Sequence, residues 1–203
     1  MTHVEASHAD PAGGARSDGV EWLEIRVGEV NQLFNMIDPA PFRERDIDPN
    51  AETYVVEWAQ EARADRPLGL VVHLGREPAT RESANLLSDS FHEYFRRRAQ
   101  AARQRLRRLF RVGRASLAVG LAFLAGAILL GGFLSGLIDD ERYAWIVEES
   151  FVIGGWVALW RPLEIFLYDW WPIRGEARLL DRLGDMSLRL VGADGTRVEA
   201  GAA

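Results

Sequence analysis

The hydrophobic pattern divides the chain into two unlike parts. Residues 115–138, ASLAVGLAFLAGAILLGGFLSGLI, contain no charged side chain. At about 1.5 Å per residue, a helix of some 24 residues reaches roughly 36 Å, enough to cross a hydrocarbon core of about 30 Å. A second apolar stretch runs from about Tyr143 or Ile146 to Trp160, beginning within the short acidic segment IDDERYAWIVEES. Outside these runs the pattern is that of a small globular domain. Leu23, Ile25 and Val27 alternate with Glu24 and Arg26, the period of a half-buried strand. A short helix with Val30, Leu33, Phe34 and Ile37 on one side is expected next, then an irregular proline-containing segment, Asp38 to Asp46. Asp48-Pro49 reads as a helix N-cap with proline at the first position. Ala51, Tyr54, Val55, Trp58 and Ala62 then keep a helical rhythm, closed by Pro67.

Leu68 to Leu74 (LGLVVHL) predicts a second strand. A helix starting near Pro78 carries Leu87, Phe91, Tyr94 and Phe95 on one stripe and meets no strong breaker before the long apolar run. Gly113 is the expected place for a bend. After the second apolar stretch come a short helix near Glu176 to Leu183, a third strand at Ser187 to Val191, and a turn at Asp194-Gly195 that can lead to a fourth strand at Arg197-Val198.

The expected fold is therefore an α+β membrane protein. A two-helix transmembrane hairpin is inserted in a small cytoplasmic α/β domain with a three- to four-stranded sheet. By residue, the layout is a disordered arm (1–19), the cytoplasmic α/β domain (20–95), a basic juxtamembrane helix (96–114), the first span (115–138), a short outer loop (139–145), the second span (146–166), an interfacial helix and C-terminal strand rejoining the domain (167–192), and a tail (193–203). The arm is polar and lacks the apolar segment of a signal peptide.

Charge sharpens the topology. The net charge is −6, yet nine arginines, Arg96, Arg97, Arg98, Arg103, Arg105, Arg107, Arg108, Arg111 and Arg114, precede the first span with no acid among them. Such a run stays on the cytoplasmic side and attracts anionic lipid headgroups. Arg161, Arg174, Arg178 and Arg182 put the chain after the second stretch on that same side, so both termini are expected in the cytoplasm. Nucleic-acid binding, the other use of a basic run, is set aside because the adjoining span explains the charge. Every basic residue is arginine and cysteine is absent. That excludes disulfides, thiolate catalysis and lysine-dependent chemistry, and it fits a GC-rich bacterial genome.

Three constellations stand out. The first is WRPLEIFLYDWWP (Trp160 to Pro172). Arg161, Glu164 and Tyr168 share one helical face, with Asp169 to the side, and Pro162 predicts a kink because it cannot donate to the carbonyl of Ala158. If the second span runs from Ser150 to Trp171, these charges lie inside the bilayer and mark an ion path, a proton relay or a ligand site. If it runs from Tyr143 to Trp160, they form an interfacial anchor, the reading favoured by five of the seven tryptophans lying between Trp145 and Trp171. The second constellation is a set of small residues suited to close helix packing: Ala118, Ala122 and Gly126; Ala127, Gly131 and Ser135; Gly132 and Gly136; Gly154 and Ala158. It serves packing within the hairpin or self-association. The third, Asp46, Asp48, Asn50 and Glu57, is a poor match to a calcium loop, since Ala51 occupies the glycine position and capping explains Asp48. The histidines His3, His8, His73 and His92 are scattered, and no nucleophile has a credible base.

The segments Glu24 to Asp48 and Trp156 to Arg174, taken with the basic helix, resemble small uncharacterised bacterial membrane proteins with two spans. The resemblance covers Val20 to about Met186. It implies the architecture and an inner-membrane location and supplies no catalytic residue. The expected function is that of a non-enzymatic, membrane-tethered interaction or scaffold module without a cofactor. Its expected partners are the bilayer, anionic headgroups, and a second copy or another membrane protein. The alternative is a small transport or proton-relay component using the charges of the second span.

Overall fold

The computed structural model describes residues 19–35 and 46–201. Ile37, most of the proline-containing segment, and the N-terminal arm up to residue 18 lie outside them. The described chain contains a four-stranded sheet, three long helices and a short 3-10 turn, and it divides into two compact units, Met1–Gln100 with Glu176–Ala203, and Ala101–Gly175.

The first unit holds the sheet. Strands β1 (Glu21–Val27), β2 (Leu68–Leu74) and β3 (Ser187–Val191) are parallel neighbours, and β4 (Arg197–Glu199) runs antiparallel along β3, in the order β1-β2-β3-β4. The strand that follows the hairpin thus rejoins the sheet, as expected, and its neighbour there is β2. Alternation sets the faces: Leu23, Ile25 and Val27 of β1, Leu68, Leu70, Val72 and Leu74 of β2, and Leu188 and Leu190 of β3 are buried. Val55 and Ala59 of α1 (Pro49–Glu61), Leu87, Phe91 and Phe95 of α2 (Arg81–Ser135), and Leu180 and Leu183 of α3 (Glu141–Gly184) supply the helical part of this unit's core. Phe91 sits between Phe34 and Phe95, with ring centroids 6.2 and 6.1 Å away. On the opposite face Trp22 lies flat across Gly69, where any Cβ would collide with its ring, and the Arg189 guanidinium stacks 3.9 Å from that ring.

Local chemistry fixes the helix starts. Asp48 Oδ1 accepts from the amides of Asn50 and Ala51, so this carboxylate serves as the cap of α1. Helix α2 begins at Arg81, later than Pro78 suggests, because Thr80 and Ser83 form a reciprocal cap: the Ser83 amide donates to Thr80 Oγ1 and the Thr80 amide to Ser83 Oγ. Helix α1 stops at Glu61, since Ala62 is already extended, well before Pro67.

The second unit is the helical hairpin formed by the rest of α2 and α3. Helix α2 is unbroken through Gly113, and α3 begins at Glu141 under an Asp140 cap, so the connection is residues 136–140. The short helix expected near Glu176 is the last part of α3. Pro162 does not end α3. The helix widens instead into a π turn over Ile165–Asp169, just after the hydrogen bond that proline cannot make. Both helices are long and apolar enough to cross a membrane, yet their most apolar stretches are only 11% and 22% buried. The 20 large apolar or aromatic side chains that stand exposed among the described residues all fall between Val112 and Trp171.

Candidate functional site

The seam of the hairpin is built from absent side chains. A Cβ on Gly113 would meet Ile165 at 2.9 Å, on Gly120 the carbonyl of Ala158 at 3.0 Å, on Gly131 the Cβ of Phe151 at 2.9 Å, and on Gly155 the Leu124 side chain at 2.5 Å. The inward positions of α2, Gly113, Gly120, Leu124, Ala127 and Gly131, recur at intervals of three, four or seven, as close antiparallel packing requires. Gly113 therefore serves close approach to α3. Of the small residues singled out from sequence, Ala127, Gly131 and Ala158 lie on this seam. Ala118 and Ala122 are exposed, a methyl group added at Gly126, Gly132 or Gly154 would meet nothing within 4 Å, and one at Gly136 would meet only carbonyls of its own final turn.

These contacts set the register of the two helices. Moving from Gly120 to Gly113 on α2 matches moving from Ala158 to Ile165 on α3. Glu164 thereby comes level with Arg114, and Arg161 falls only about three residues, roughly 4–5 Å, further along the apolar run. Phe110 stacks on Phe166 at 6.1 Å beside them. One end of the hairpin is thus basic and aromatic, with Arg107, Arg108, Arg111 and Arg114 on α2 and exposed Trp160, Tyr168 and Trp171 on α3. The other end carries Asp139, Asp140, Glu141, Glu148 and Glu149.

The Arg161 guanidinium reaches toward the basic end. Its Nη1 donates to Glu164 Oε2 at 2.8 Å and lies 3.4 Å from Asp169 Oδ2. Sequence spacing leaves Asp169 off this face. The π turn, with more than four residues in its circuit, rotates it back into reach. Tyr168 remains 70% exposed, placed like an interfacial anchor. Trp170 closes the turn by donating from its indole to the Phe166 carbonyl at 2.9 Å, and Arg174 lies over its ring.

The arginine run is not uniform in space. Arg96, Arg97 and Arg98 pair with Asp185, Glu93 and Glu52 of the α/β unit. Arg107, Arg108, Arg111 and Arg114 are exposed and make no ion pair among the described residues, so the basic character concentrates there; Arg103 and Arg105 are exposed as well. Arg98 belongs to a network that sequence spacing shows only in part. Tyr94 donates to Glu52 Oε2 at 2.6 Å and accepts from Arg98 Nη1 at 3.1 Å, tying α1 to α2. Burial, then the hydrogen bond to the Glu52 carboxylate, pushes the Tyr94 phenol up to about 12. The i, i+4 spacing of Tyr94 and Arg98 is legible in the chain; Glu52, on another helix, is not.

His73 faces Glu24 across the open side of the sheet at 3.3 Å, and His92 donates from Nε2 to the Met186 carbonyl at 2.8 Å. Both are accounted for by the fold. No group of three or more His, Asp or Glu side chains is placed to hold a metal ion among the described residues. No known protein family, curated protein or solved structure matches this chain.

Proposed function

We propose that this chain is an integral protein of the bacterial inner membrane. The hairpin crosses the bilayer and holds the α/β unit at the cytoplasmic face, where it acts by binding a partner. The observation that carries the reading is the inversion of the hairpin: glycines line its seam while large apolar and aromatic side chains point outward. In water such a surface drives association, whereas in lipid it is matched to the solvent. The two ends of the hairpin support the orientation, since the arginine-rich end suits the cytoplasmic side and its anionic headgroups. The level of Glu164 beside Arg114 supports an interfacial place for the Arg161 cluster. The test is extraction of native vesicles with alkaline carbonate. The chain should stay with the pellet; release into the supernatant overturns the membrane reading.

A second reading, a proton-relay or transport component, draws on the π turn and on Arg161 bridging two carboxylates, features found at functional sites in helices. It requires that Glu164→Gln abolish a proton flux in reconstituted vesicles at unchanged expression. An unaltered flux removes it.

A further inference from the structure

Strand β1 is one edge of the sheet, and its backbone polarity can be read directly. Glu21 donates its amide to the Pro67 carbonyl and Val27 accepts from the Gly75 amide, both at 2.9 Å, so Glu21, Leu23, Ile25 and Val27 turn their backbone groups toward β2. By the alternation of a parallel ladder, Trp22, Glu24 and Arg26 turn theirs outward. No hydrogen bond from the described residues occupies these outward groups. The next amide, Gly28, is taken by Gln32 Oε1 at 2.8 Å, which ends the free edge. The opposite edge, β4, is only three residues long. A seven-residue edge without proline or bulge is a template for strand pairing.

We propose that β1 pairs antiparallel with β1 of a second copy of this chain, across a two-fold axis at Ile25, joining two four-stranded sheets into one. Charge and hydrogen-bond parity select this register together. With Ile25 opposite itself, Glu24 of each copy faces Arg26 of the other as a hydrogen-bonded pair, and Leu23 faces Val27. Shifting by one residue in either direction along the axis sets Glu24 opposite Glu24 or Arg26 opposite Arg26, a like-charge pairing. Arg26 is exposed and has no partner among the described residues, so pairing supplies one. Glu24 keeps one carboxylate oxygen near His73 and has the other for the incoming arginine. An isologous contact of this kind closes at two copies. It is independent of whether the hairpin crosses lipid.

The chain contains no cysteine, which makes cross-linking clean. Two differently tagged full-length copies, one Glu24→Cys and one Arg26→Cys, are co-expressed and oxidised in detergent. A hydrogen-bonded antiparallel pair holds its Cα atoms about 5.5 Å apart, within disulfide range. The expected result is a mixed disulfide at least fivefold more abundant than either homotypic one. In the cysteine-free chain, Arg26→Glu should weaken dimer formation about tenfold or more by light scattering, and the exchanged double variant Glu24→Arg with Arg26→Glu should restore it. A chain that stays monomeric, or homotypic disulfides as abundant as the mixed one, overturns the proposal; far-UV circular dichroism confirms that each variant is folded.

Discussion

The two units bury opposite kinds of residue. In the α/β unit, Phe34, Phe91, Phe95 and the alternate aliphatic residues of three strands are inside, and charges are outside. In the hairpin, Gly113, Gly120, Gly131 and Gly155 are inside, and Phe123, Phe133, Trp156 and Trp160 are outside. The first arrangement is what water imposes, because apolar area removed from it contributes about 25 cal/mol per Å². The second gains nothing from water and relies on close contact between helix backbones. On the proposed membrane reading, one chain carries solutions to two solvents, and the amino acids at equivalent depths tell them apart.

The contrast is broken most severely by matched truncations. Phe91→Ala, in the α/β core, should cost about 3–5 kcal/mol. Phe133→Ala, on the outside of the hairpin and 65% exposed, should stay within about 0.5 kcal/mol. Thermal unfolding of both variants in one detergent checks the pair, and equal losses would erase the distinction between the units.

Neighbouring glycines sharpen it on a smaller scale. Gly155→Leu must displace Leu124 and should destabilise the hairpin by about 2–3 kcal/mol, whereas Gly154→Leu enters open space and should be nearly silent. Resistance of the hairpin to proteolysis in detergent separates the two outcomes.

The smallest effect is a pH dependence confined to the α/β unit. The folded state holds the Tyr94 proton up to about 12, while an unfolded phenol releases it near 10. This contribution is complete below about pH 10 and disappears as pH rises toward 12, a loss on the order of 2 kcal/mol. Unfolding between pH 9 and 12 should show that slope in the natural chain and a weaker one in Tyr94→Phe.

Strands and long helices were legible because their signals are local. The bounds of β1 and β2 follow from alternation, and the reach of α2 from the lack of a breaker between Arg81 and Ser135. Geometry that depends on a second element was not. The glycines of the apolar run look alike in sequence, and only the register against α3 separates Gly131 from Gly132. Asp169 reaches Arg161 because a π turn shifts the helical phase, which a fixed 3.6-residue period cannot represent. Glu52 joins Tyr94 from another helix. The open edge of β1 becomes visible only once the strand order is known.

The central claim is that the hairpin passes through lipid and returns. Single cysteines at Asp139, Leu129, Ile153 and Arg197 of this cysteine-free chain can be exposed to a membrane-impermeant maleimide on intact and on permeabilised spheroplasts. The account predicts labelling of position 139 in intact cells, of position 197 only after permeabilisation, and of positions 129 and 153 in neither. Free labelling of 129 and 153, or labelling of 139 and 197 from the same side, would contradict it.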